Sequence, residues 1–84
     1  MIKVKMFGVF RLDTGVKELE TEAATVKELL AKLPEEIKRV KADAVVDVKV
    51  LKGCIIAVNG TQVKKSAGLR DGDEVWLVPA VAGG

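Results

Sequence analysis

Histidine and tyrosine are both absent from this 84-residue sequence, which holds a single cysteine and two prolines. The missing histidine removes the commonest general base, the commonest metal ligand and the usual pH switch together. No Ser-His-Asp or Cys-His arrangement can be assembled without it. One cysteine, Cys54, excludes an internal disulfide and a multi-cysteine zinc site, and it suits a reducing cytosol. No apolar run approaches the roughly twenty residues of a bilayer span. The longest, Val75 to Gly84, is interrupted by Pro79. The opening Met1-Ile2-Lys3-Val4-Lys5 alternates in character and lacks the apolar stretch of a signal peptide. A soluble, cytoplasmic protein with no membrane partner is the expectation.

A dominant charge is missing too. Fourteen Lys and Arg stand among twelve Asp and Glu, a net charge of +2. With no basic stripe and few stacking aromatics, nucleic acid is not an expected partner. What is present is enough for a core. At 9.0 kDa and 49% hydrophobic residues, the chain makes one small domain rather than a disordered segment. Surface scaling gives it about 4,900 Å² of folded area against about 13,000 Å² unfolded.

Ile2, Val4 and Met6 alternate with Lys3, Lys5 and Phe7, so period two predicts a strand over 2–10 with the even positions inward. Asp13-Thr14-Gly15 reads as a turn, and 16–20 as a returning strand. Thr25-Val26-Lys27-Glu28 matches a capping box. Val26, Leu29, Leu30 and Leu33 follow at helical spacing. Pro34 breaks the ladder of that helix and opens a further turn through Glu35 to Val40. Residues 41–52 are the least legible, their valines favouring extended structure. Cys54 to Val58 is a strand closed by Asn59-Gly60, a strong hairpin signal, and Thr61 to Val63 pairs back. After the Asp71-Gly72-Asp73 turn, Glu74 to Val78 forms a last strand that Pro79 ends. The order β-β-α-β-β-β predicts an α+β fold of the β-grasp kind, a mixed sheet of about five strands packed on one principal helix. The domain would span 1–79, with 80–84 a flexible C-terminal tail ending in Gly-Gly.

Side-chain chemistry is sparse. The glycines fall in separate turns, not in a phosphate loop. Glu35-Glu36 reads as a helix start and Asp71 to Glu74 as turn formers. Cys54 shares inward parity with Ile56 and reads as an inert core thiol. No metal site is expected. Trp76 and Val78 take the outward parity of the last strand, and Phe7 that of the first; Val63 joins them if its hairpin register allows. Such a patch suggests partner docking, unless the register is off by one and Trp76 is buried. Val81-Ala82-Gly83-Gly84, read as the chain end, is either a frayed terminus or a segment slim enough to thread a narrow slot and present its carboxylate.

Asp71-Gly72-Asp73-Glu74-Val75, then Pro79, then Val81-Ala82-Gly83-Gly84 resembles the signature of the MoaD/ThiS sulfur-carrier family, closest to its MoaD branch, the small subunits of molybdopterin synthase. Thr25 to Leu30 resembles the family's helix start, Ala57-Val58-Asn59-Gly60 its central hairpin, and Phe7-Gly8 with Arg11 and Gly15 its first strand and turn. Ala80 departs from a usual second proline, and Trp76 is bulkier than the pattern. The resemblance implies a ubiquitin-like β-grasp whose reactive group is the Gly84 carboxyl. An E1-like adenylyltransferase (MoeB-like) would adenylate it with ATP, and a sulfur donor would convert it to a thiocarboxylate. Val81, Ala82 and Gly83 would thread the slot of a large synthase subunit (MoaE-like), with Phe7, Val63, Trp76 and Val78 docking. ATP would belong to the partner, and this chain would bind no cofactor itself. Conjugation to lysines as a protein modifier, thiamine-pathway sulfur carriage and a non-covalent binding module are the rival readings.

Overall fold

The computed structural model describes residues 1–80; the expectations for Val81, Ala82, Gly83 and Gly84 lie outside the described residues. Among the described residues, five strands and three helices follow one another as β1 (Ile2–Met6), α1 (Val9–Thr14), β2 (Glu18–Thr21), α2 (Val26–Val40), α3 (Val48–Lys52), β3 (Ile55–Val58), β4 (Thr61–Val63) and β5 (Glu74–Val78). The strands lie in the order β2-β1-β5-β3-β4. The central pair β1 and β5 is parallel, and every other neighbour is antiparallel. This is the mixed sheet of a ubiquitin-like β-grasp.

The inner sheet face is built by the inward positions of the alternating strands. Ile2, Val4, Met6, Ile56, Val75 and Leu77 are buried against Val26, Leu29, Leu33 and Ile37 of α2. Thr25 starts that helix as expected, its hydroxyl accepting from the Glu28 amide at 3.1 Å. Three corrections concern the rest. First, Pro34 does not break the helix but sits inside it, and α2 runs unbroken to Val40. A helix-interior proline costs about 3 kcal/mol. Burying Leu29, Leu33 and Ile37 on one face contributes about 1.5–3 kcal/mol each, so packing wins. Glu35 and Glu36 therefore lie mid-helix. Glu36 is buried, accepting from the Thr21 hydroxyl at 2.5 Å and pairing with Arg39 at 3.1 Å.

Second, the first strand stops at Met6, and Val9–Thr14 is helical. Gly8 turns the chain at φ +57°, and its carbonyl accepts from the Arg11 and Leu12 amides. Phe10 and Thr14, one turn apart, both face the core. An extended continuation would also have turned Phe10 inward, so period two could not separate the alternatives. Third, the extended preference of 41–52 gives way to α3, where the Asp47 carboxylate accepts from the Lys49 and Val50 amides and Leu51 is buried.

The Asn59-Gly60 turn has positive φ at both residues, as a two-residue hairpin requires. It is tied to the Asp71-Gly72 turn. The Asn59 side chain donates to Asp73 at 3.0 Å and accepts from the Glu74 amide at 3.0 Å, while the Arg70 amide donates to Asp73 at 2.8 Å. These bonds, the Arg70 amide's above all and then Asn59's, hold the Asp73 carboxyl below its usual range. The Lys5 ammonium, and after it the Trp76 indole, do the same for Glu74. Both carboxylates bind protons more weakly folded than unfolded. Their stabilising contribution is complete above the unfolded values of 3.8 and 4.5 and is lost as pH falls through the lower folded values. The urea midpoint is therefore expected to fall on acidification below about pH 4. Asp73→Asn should show a shallower fall; an equal slope would contradict the assignment.

Candidate functional site: an aromatic patch on the outer sheet face

The outer sheet face is set by register. Trp76 lies between Lys5 on β1 and Ala57 on β3, and Val78 lies opposite Ile55. Phe7 follows β1, its amide donating to the Leu77 carbonyl at 3.2 Å, which keeps its side chain beside the same face. The Phe7 and Trp76 rings meet edge to face, centroids 5.8 Å apart at 64°. The parity expectation for Trp76 therefore holds: Val75 and Leu77 are buried and Trp76 is only part-buried. The indole N–H donates to Glu74 at 3.0 Å, and the other Glu74 oxygen pairs with Lys5 at 3.0 Å. Glu74 thus fixes the Trp76 rotamer and links the apolar patch to a charged band. In strand register that band sets Lys5 opposite Glu18, and Lys3 between Glu20 and Glu74.

Phe7, Trp76 and Val78 come together, but Val63 does not join them. The two-residue turn sets Val63 opposite Ile56, so its side chain packs on the inner, core face. Gln62, opposite Ala57, takes the outward place. The residue missed is Ile55, 39% exposed and cross-strand from Val78. Its signal was available: if Cys54, Ile56 and Val58 face inward, Ile55 must face out.

The patch reaches the C-terminal end of β5. Pro79 is buried, and a Cβ at Gly8 would meet its Cγ at 3.2 Å. At φ +57° a side chain at position 8 would be strained and would press on Pro79, so glycine suits this close approach of the α1 turn to the end of β5.

Cys54 is where the sequence placed it, in the core, donating to the Leu51 carbonyl at 2.9 Å. Burial pushes its thiol up to about 11 from 9.0. Thiolate is the nucleophile, so iodoacetamide labelling at about pH 8 is expected to run at least ~100-fold slower on the native chain than in urea. Comparable rates would mean an accessible thiol. Among the described residues, no group of three or more Cys, Asp or Glu side chains could hold a metal ion. Nor is any helix among them long and apolar enough to cross a membrane.

The model of the ThiS family matches residues 4–84, nearly the whole sequence and through the final glycine. The chain belongs to the ThiS family. Among solved structures it is similar to one chain of the complex of subunits 1 and 2 of molybdopterin-converting factor from Helicobacter pylori, at 29% identity and TM-score 0.63, covering 99% of this chain and 97% of that one. It is similar to a chain of the BexX/CysO complex from Amycolatopsis orientalis at 30% identity and TM-score 0.70, with complete coverage of both. SAMP1 from Haloferax volcanii shares the fold at 21% identity and TM-score 0.72, covering 99% and 98%. No curated protein matches the sequence.

Proposed function

We propose that this ThiS-family chain is a sulfur carrier that works through the Gly84 carboxyl and serves as the small subunit of a molybdopterin synthase. The observation that carries this reading is the family match running through Val81-Ala82-Gly83-Gly84. The aromatic patch on the outer sheet face supports it, because Phe7, Trp76, Val78 and Ile55 offer a partner an apolar anchor at the end of β5. The likeness to a molybdopterin-converting factor chain favours the pterin route.

In this reading a carboxylate oxygen of Gly84 attacks the α-phosphorus of ATP on an E1-like partner, and pyrophosphate leaves. Hydrosulfide from a sulfur donor then attacks the acyl-adenylate carbon, and AMP departs with the bonding pair. The product is a C-terminal thiocarboxylate. Adenylation is needed because a carboxylate is a poor electrophile with no good leaving group. The large subunit encloses the thiocarboxylate and shields it from hydrolysis while sulfur passes to a pterin precursor. All of this chemistry uses the backbone terminus, consistent with a chain that has no histidine.

The similarity to a chain of the BexX/CysO complex favours a second reading, the same thiocarboxylate delivered to a different partner protein. Incubation with ATP, an E1-like enzyme and sulfide, followed by intact mass spectrometry, separates the cases. The expected result is exchange of one oxygen for sulfur at Gly84, reversed on adding a MoaE-like subunit and pterin precursor. A thiocarboxylate that this subunit does not consume would overturn the pterin assignment. Adducts to lysines that survive reductant, with no thiocarboxylate, would overturn sulfur carriage in favour of protein modification.

A further inference from the structure

The helical layer carries a second apolar surface, remote from the aromatic patch and its sheet face. α2 and α3 leave a groove between them. Leu30, Ala31 and Pro34 form one wall, and Val48 and Leu51 the other. Val48 is 45% exposed, though a β-branched apolar side chain on a five-residue helix has little reason to face water. The groove's rim is of one sign. Lys27, Lys52 and Lys65 border it, and no acidic side chain lines it among the described residues. Elsewhere the surface mixes signs: the outer sheet face sets Lys3 and Lys5 against Glu18, Glu20 and Glu74.

The rim is held in place. Lys65 reaches across to donate its ammonium to the Lys52 carbonyl, and its own carbonyl accepts from the Lys27 amide at 2.9 Å. Lys27 also stands in the first turn of α2, where the helix dipole disfavours a cation. An apolar trough with cations on both sides is the complement of a segment carrying apolar residues on one side and carboxylates along its flanks.

We propose that the α2–α3 groove is a docking site for an acidic amphipathic helix of a partner protein. Its leucine-type side chains would lie over Pro34, Ala31 and Val48, and its Glu or Asp side chains would pair with Lys27, Lys52 and Lys65. This contact does not use Trp76, so a protein bound here leaves the outer sheet face free for a second partner. It stands whether or not the sulfur-carrier reading does.

The test uses the full chain, isotope-labelled, and a synthetic helix-forming peptide with leucines on one face and glutamates on its flanks. Saturable amide shifts are expected at Leu30, Ala31, Val48, Leu51 and Lys52. Lys27→Glu with Lys52→Glu should weaken binding at least ~10-fold, whereas the Lys→Arg pair and Trp76→Ala should not. Circular dichroism confirms that the charge-reversed chain is folded. Four outcomes of the peptide titration would overturn the proposal: shifts confined to the Trp76 face, equal affinity for a scrambled peptide, equal affinity for a peptide with lysine in place of glutamate, or groove broadening that tracks protein concentration alone. The last would identify a second copy of this chain as the occupant. Binding to anionic vesicles without selective peptide binding would likewise replace the protein partner with a lipid surface.

Discussion

Trp76→Ala is expected to weaken binding of the proposed large-subunit partner at least ~30-fold, the effect of losing about 2 kcal/mol at an aromatic anchor. Trp76 stands at the centre of the outer face, between Lys5 and Ala57, with Phe7 at its edge. The domain itself should lose little. Val75 and Leu77 on either side hold β5 to the core, so the fold forfeits chiefly the ring-ring contact, about 1 kcal/mol. Trp76→Phe should restore most of the binding, since it keeps an aromatic body while dropping the bond to Glu74. Calorimetric titration against the partner, paired with thermal melts, separates the two effects. A melt that collapses while affinity stays level would mean the indole serves the core rather than a partner.

The second large effect lies in α2, where neighbouring substitutions should move stability in opposite directions. Leu33 is fully buried between the helix and the sheet. Leu33→Ala is expected to cost about 2–5 kcal/mol through lost burial and the cavity left behind. Domains hold about 0.05–0.15 kcal/mol per residue, so a chain of this size loses a large part of its stability. The melting point should drop by about 4–8 °C for each kcal/mol. Pro34→Ala, one residue on, should instead stabilise, by up to about 3 kcal/mol, because alanine supplies the amide that proline lacks in the helix ladder. Urea melts of both variants check the argument that core packing overrides the proline. A destabilised Pro34→Ala chain would show that the proline ring contributes packing that this account has not credited.

Where local chemistry and tertiary demand agree, the elements could be read in advance. Thr25 caps α2, Asn59-Gly60 turns the hairpin, and the alternation through Val75 and Leu77 turns Trp76 outward. Reading failed where tertiary burial outweighed a local rule or where two conformations bury the same residue. Pro34 looked like a stop because its cost is local, whereas the burial that outweighs it lies across the sheet. Phe10 would have faced the core in either a strand or a helix. Parity alone leaves Val63 free to join the patch, yet the two-residue turn at Asn59-Gly60 fixes its register and pairs it with the inward Ile56. The same counting would have found Ile55. The Asp47 cap was the overlooked sign of α3. Of the candidate site, the patch was visible through parity, whereas the expectation for Val81 to Gly84 rests on resemblance alone and lies outside the described residues.

The central claim is that the reacting group is the Gly84 carboxyl. ATP–pyrophosphate exchange catalysed by an E1-like enzyme tests it directly, comparing the chain with a free Gly84 acid against the same chain ending in a Gly84 amide. The free acid should support exchange and the amide should abolish it, with identical thermal melts for the two. Equal exchange from both would place the adenylated group elsewhere and contradict the account.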